Sequence, residues 1–209
     1  MIEAILILGP SGSGKTPLGE MLARRGLGGR RCLHFDFGAE LRRLAARDAD
    51  GGELSVEETA FVRRVLQEGA LLEDRHFSIA QRVLSGFLAQ RSAAPPGDLV
   101  ILNGLPRHIG QARGIEGLLA VRGVVVLECP PDQLRLRIRA DTGGDRAGRV
   151  DDTPALAAKK AQLFRERTAP LIEYYERSGA RIARMQVDAG TTAADIYASL
   201  TAALEQRPS

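Results

Sequence analysis

Residues 2–16 constrain the fold more than any other stretch of the chain. Ile2–Leu8 is a short apolar run rich in Ile and Leu, ended by Gly9-Pro10. Such a run reads as a strand buried on both faces, which is the habit of parallel sheets. The next eight residues, Gly9-Pro10-Ser11-Gly12-Ser13-Gly14-Lys15-Thr16, satisfy G-x-x-x-x-G-K-[ST] in full. A helix is predicted from about Lys15 to Arg25, closed by Gly26. Pro17 is tolerable in its first turn, where backbone N–H groups have no partners to lose. A glycine-rich turn between a buried strand and a helix cradles phosphate, because its N–H groups turn inward and the helix start adds partial positive charge. Gly9, Ser11, Gly12, Ser13 and Gly14 are therefore expected around the phosphates of ATP. Lys15 is expected to reach the β and γ phosphates, and Thr16 to bind Mg2+ directly through its hydroxyl.

The rest of the chain repeats the strand–helix alternation. Strands are predicted at Cys32–Phe35, Leu99–Leu102, Val124–Glu128 and Ala180–Val187. A helix starts near Gly38. Ser55 and Glu58 form a capping-box pattern that opens another, ending at Glu68 before Gly69. Further helices are predicted from about Asp74 to Gln90, from Pro130-Pro131-Asp132, from Thr153-Pro154 to about Ser178, and from near Ala193. Residues 140–152 carry three glycines and no apolar pattern, and read as a loop. The fold class is α/β: a P-loop NTPase-type parallel sheet of about five strands with helices on both faces. Ligands in such sheets bind beyond the carboxyl ends of the strands.

Composition narrows the function classes. The chain has 209 residues and a net charge of only +3, with no dense basic run set apart from acidic residues, so no nucleic-acid partner is expected. Lysine occurs only at Lys15, Lys159 and Lys160 among 29 basic residues. Cys32 and Cys129 are solitary and make no zinc spacing; two buried reduced thiols are expected. Nothing near the start resembles a leader or a membrane span, so a cytoplasmic protein without a membrane partner is expected.

Three later segments carry a family resemblance. Leu102-Asn103-Gly104-Leu105-Pro106-Arg107, with Gln111 four residues on, resembles the D-G-[FY]-P-R…Q segment of nucleoside monophosphate kinases. Phe37-Gly38-Ala39-Glu40-Leu41-Arg42 is similar to their T-G-D-x-L-R. Gly148-Arg149-Val150-Asp151-Asp152 is similar to their G-R-x-D-D lid motif, and Thr168-Ala169-Pro170-Leu171-Ile172 with Tyr174-Tyr175 follows in a long helix. Order and spacing agree along nearly the whole chain. The chain thus resembles the short-lid adenylate kinases. The resemblance implies one P-loop kinase domain over residues 1–209, with an acceptor-binding insert at 37–75 and a short lid at 135–152. It implies transfer of phosphate from ATP to a monophosphate, AMP being favoured by Gln111, with Mg2+ as cofactor and the protein a monomer. Arg42 and Arg107 would grip the acceptor phosphate by two-point guanidinium contacts, and Gln111 would read its base. Phe37, Gly104 and Leu72 would complete the acceptor site. Arg149 would close with the lid, and Gly190 would line the donor adenine.

The chain departs from the family at several of these positions. Asn103 stands where the family has an aspartate that holds metal-bound water, and asparagine brings no charge. Asp36 could take over through water, or could simply cap the next helix. Phe37 and Ala39 replace threonine and aspartate; Phe37 could stack on a base or belong to the core. Lys160 stands where a catalytic arginine is usual and supplies charge without the fork. The register of the lid-hinge arginines is open among Arg135, Arg137, Arg139 and Arg146, with Arg137 set against ATP and Arg139 in catalysis. These departures keep two other readings in view: a kinase of this fold with another acceptor (a pyrimidine monophosphate or a small hydroxyl compound), or a weakly active nucleotide-binding module.

Overall fold

A computed structural model describes residues 1–46, 54–144 and 154–205. Strand β1 (Ile2–Leu8) leads through the Gly-rich turn into α1 (Lys15–Arg25). Strand β2 (Arg31–Asp36) and helices α2 (Phe37–Ala45), α3 (Val56–Glu68) and α4 (Phe77–Gln90) follow. Next come β3 (Asp98–Asn103), α5 (Ile109–Ile115), β4 (Leu119–Glu128) and α6 (Pro131–Ala140). The chain continues through α7 (Pro154–Leu163), α8 (Pro170–Arg177), β5 (Arg181–Gln186) and α9 (Ala193–Glu205). All pairings within this sheet are parallel and the strand order is β2-β3-β1-β4-β5.

The two-residue period of the strands sorts their side chains into two cores. Leu6 and Leu8, Val100 and Leu102, and Val124 and Val126 join Phe35, Val62, Ile79, Leu84 and Leu171 on one face. Ile7, Leu99, Ile101, Val125 and Leu127 join Leu18 and Leu22 of α1 and Ile196 and Leu200 of α9 on the other. Both faces are covered, which is why these strands read as continuous apolar runs instead of alternating ones. Among the described residues no helix is long and apolar enough to cross a membrane.

Local signals explain several element ends. The Ser55 hydroxyl accepts from Glu58 N–H at 3.2 Å and the Glu58 carboxylate accepts from Ser55 N–H at 3.0 Å, so the capping box at the start of α3 is complete. Three expectations are corrected. Strand β4 begins at Leu119, five residues before the predicted Val124, because Ala4 pairs with Val121 and Ile5 with Gly123, leaving Arg122 as a bulge. Arg122-Gly123 breaks the apolar run and conceals its first half. The long helix predicted to reach Ser178 is interrupted by a π-turn at Phe164–Thr168. Pro170 has no N–H to continue an α-helical ladder, and Ala169 N–H instead bonds Phe164 C=O at 2.8 Å. Of the two thiols, Cys32 is buried but Cys129 is only half-buried. Burial pushes the Cys32 thiol up to about 11, far from the thiolate range.

Candidate active site

The carboxyl ends of β1, β2 and β3 meet at one cleft. It is lined by Gly9, Lys15 and Thr16 of the phosphate loop, by Asp36 and Asn103, and by Arg42 and Arg107 beyond them. Gly12 and Gly14 hold φ of 94° and 99°, which side chains other than glycine rarely adopt, so the loop can curl with its N–H groups inward. Lys15 lies across that curl, its Nζ donating to the carbonyls of Gly9 and Pro10 at 2.8 Å each.

Strand register brings Asp36 and Asn103 side by side as the last paired residues of β2 and β3. Both converge on Thr16. Thr16 Oγ1 donates to Asp36 Oδ2 at 2.7 Å. Asn103 Nδ2 donates to Asp36 Oδ2 at 2.8 Å and to Thr16 Oγ1 at 3.0 Å. Asp36 Oδ1 accepts from Ala39 N–H at 2.9 Å, so the carboxylate also caps α2. Burial pushes the Asp36 carboxyl up, but the Thr16 and Ala39 bonds with nearby His34 and Arg42 outweigh it and hold it below the usual range.

On the acceptor side, Arg42 projects from α2 and is exposed. Arg107 follows the turn Gly104-Leu105-Pro106, and its Nε donates to Gly104 C=O at 2.9 Å. Its backbone is held twice more: Arg107 N–H donates to Gln111 Oε1, and Thr168 Oγ1 donates to Arg107 C=O, both at 2.8 Å. Gln111 is buried, and its Nε2 donates to Leu72 C=O at 2.8 Å. His108 Nε2 meets the same carbonyl at 3.0 Å. One N–H and one oxygen lone pair of the Gln111 amide are left over. From the far side, Lys160 lines the cleft, Lys159 Nζ donates to Glu68 C=O at 2.8 Å, and Arg167 forks onto Glu73 at 3.0 and 3.3 Å.

A family model described as an AAA domain matches residues 5–154. The adenylate kinase of Thermus thermophilus is 32% identical over 97% of this chain and 97% of its own length. That of a Synechococcus species is 31% identical over 98% of this chain and the whole of its own. That of Hyphomonas neptunium is 30% identical over 97% of this chain and 98% of its own. The chain belongs to the adenylate kinase family. It is an adenylate kinase-like phosphotransferase, of the class that phosphorylates nucleoside monophosphates.

Several of the expected site residues are buried within this adenylate kinase fold. Phe37 is 2% exposed and stacks on Phe35 with ring centroids 6.0 Å apart, so it belongs to the core, one of its two expected places, while also lining the cleft. Leu72 likewise buries its side chain and offers its carbonyl, not its apolar surface, to Gln111. Ser13 is fully buried within the phosphate loop, with no partner for Oγ among the described residues; its N–H donates to Pro10 C=O at 3.2 Å, and it lies outside the lining of the cleft.

Arg137 is 3% exposed and spends its guanidinium on carbonyls. It donates to Gly12 C=O at 3.3 Å and to Asp188 C=O and Thr191 C=O at 2.6 Å each. It is thus a strut between the adenylate kinase phosphate loop and the 188–191 turn. Gly190 gives its N–H to Asp188 Oδ1 at 2.9 Å, within that same turn. Arg139 and Arg135 are exposed on α6 and lie outside the lining of the cleft. Arg146, Arg149, Asp151 and Asp152 fall outside the described residues. Sequence reasoning gave Thr168 a place in a family-like segment but no role at the site, and gave His108 none. The Thr-Ala-Pro run could have flagged the first, since proline there forces the turn that aims the hydroxyl.

Proposed function

We propose that the protein transfers the γ-phosphoryl group of ATP to AMP, giving two ADP. The observation that carries this reading is a single cleft lined at once by the phosphate loop and by Arg42, Arg107 and Gln111. Donor and acceptor phosphates would then face each other without an intervening wall, as in-line transfer requires. A phosphate oxygen of AMP attacks the γ-phosphorus while the bond from that phosphorus to the β,γ-bridging oxygen breaks. The attacking oxygen is already anionic, so no general base is needed. Lys15 neutralises the β and γ oxygens; Arg42 and Arg107 hold the acceptor phosphate; Lys160, with Arg149, adds charge at the transferring group. The remaining donor and acceptor of the Gln111 amide suit the adenine edge. The segment 37–75 acts as the acceptor-binding insert and 135–152 as the lid, which together keep water from the γ-phosphate.

Mg2+ fits the oxygen groups at the loop, and when bound it would offset charge on the β and γ phosphates. Thr16 would offer its hydroxyl directly, with Asp36 and Asn103 placed to hold metal-bound water. ADP formation from Mg-ATP with AMP, GMP, CMP, UMP and dTMP tests the assignment. Turnover confined to AMP is expected; equal or greater turnover with a pyrimidine monophosphate, or none with any of the five, refutes it.

A further inference from the structure

We propose that the negative charge facing the metal has moved from β3 to β2 in this protein: Asp36 carries it, and Asn103 is the neutral clamp that Asp36 makes necessary. The inference rests on the Mg-ATP reading above and concerns which residue of this chain serves it.

The argument starts from hydrogen-bond valence. The two N–H groups of Asn103 Nδ2 go to Asp36 Oδ2 and Thr16 Oγ1, and the Thr16 hydroxyl hydrogen goes to the same Asp36 oxygen. Only the amide nitrogen of an asparagine can make both bonds, since a carboxylate has no hydrogen to donate. An aspartate at position 103 would set two carboxylate oxygens about 2.8 Å apart, the present Asn103–Asp36 separation, where both cannot stay ionised without a cation between them. The two identities are therefore coupled: a carboxylate at one strand end calls for an amide at the other. The donor set that results is a hydroxyl and one carboxylate, both hard oxygens, beside the phosphate loop. Thr16 Oγ1 donates one hydrogen and accepts one, which leaves it a lone pair. Among the described residues no group of three His, Cys, Asp or Glu side chains offers an alternative.

The coupling predicts that the charge can be exchanged between the strands. In the double variant Asp36→Asn/Asn103→Asp, the amide now at the end of β2 would still accept from Ala39 N–H and cap α2, asparagine being as good a cap as aspartate. Its nitrogen would donate to the carboxylate now at the end of β3. Mn2+ serves as the probe, with its binding to the protein complexed with a non-hydrolysable ATP analogue followed by electron paramagnetic resonance. Asp36→Asn should bind Mn2+ about 10–100-fold more weakly, the usual cost of losing a group that holds a metal or its water. The exchanged double variant should recover to within about threefold of the parent, on the same basis. Asn103→Asp alone should melt lower than the parent without metal and regain the difference when Mn2+ is added. Metal-free binding of the analogue by all four proteins reports that each phosphate loop has folded. Asp36→Asn binding Mn2+ like the parent, or an exchanged variant as weak as Asp36→Asn, overturns the inference while leaving the kinase reading intact. A parent protein with no analogue-dependent Mn2+ binding overturns both.

Discussion

Replacing Thr168 with valine removes one hydroxyl from the acceptor side and little else. The two side chains are near-isosteric, both β-branched and of similar helix propensity, so the π-turn that carries residue 168 keeps its backbone. What is lost is the 2.8 Å bond to Arg107 C=O. That carbonyl then loses its side-chain donor in a half-buried position, at a cost of about 1–3 kcal/mol. Gln111 holds Arg107 at its N–H and Gly104 holds it at its Nε, while the carbonyl bond ties it to the helical segment across the cleft. If relief of that cost comes from displacement of Arg107, about 1–3 kcal/mol becomes a roughly 5- to 150-fold loss of correctly placed guanidinium. The KM for AMP at saturating ATP should therefore rise by at least about fivefold, while the KM for ATP stays nearly constant. Thr168→Ser, which keeps the hydroxyl, should restore most of the loss. Steady-state kinetics with AMP and ATP varied separately, together with thermal melts, separate the two possible roles. A variant that melts lower but keeps the parental KM for AMP would refute the positioning role and leave the bond a purely structural one.

Three further perturbations follow from the same geometry. Arg31 forks onto Asp98 at 2.7 Å on each oxygen, and with the Ala94 N–H it holds the Asp98 carboxyl at about 2, against an ordinary value of 3.8. A depressed folded-state value means that the pair stabilises fully above about pH 4 and loses its effect as pH falls toward 2, so Arg31→Met should move the acid-unfolding midpoint upward in circular dichroism titrations; an unchanged midpoint would count against it. Ser55→Ala removes one arm of the capping box at α3 and should cost about 1 kcal/mol in urea melts without changing kcat; no loss of stability would mean that the start of α3 is held by its packing alone. Arg137→Met should weaken ATP binding more than AMP binding by releasing Gly12 and the 188–191 turn, and calorimetry with each nucleotide would refute the strut if ATP affinity were unchanged.

The phosphate loop, the capping box of α3 and the two-sided strands were legible because each is written within about ten residues: a φ that only glycine accepts, a side chain bonded three positions away, or an unbroken apolar run. Arg42 and Arg107 could be nominated from motif position for the same local reason. The misjudged elements are those where a distant partner decides. The first half of β4 exists because β1 pairs with it around the Arg122 bulge. Arg137 was expected against ATP, and its guanidinium is instead taken up by the carbonyls of Gly12, Asp188 and Thr191, two of them from a turn some fifty residues away. Residues 16, 36 and 103 marked themselves separately: as the end of a motif, as an unusual aspartate and as a missing charge. That they share one hydroxyl follows from the strand order β2-β3-β1, which sets the ends of β2 and β3 beside the loop after β1. Periodicity says which face of a strand is buried and nothing about which strand lies next to it, so the side-by-side placement of Asp36 and Asn103 belonged to the tertiary structure alone.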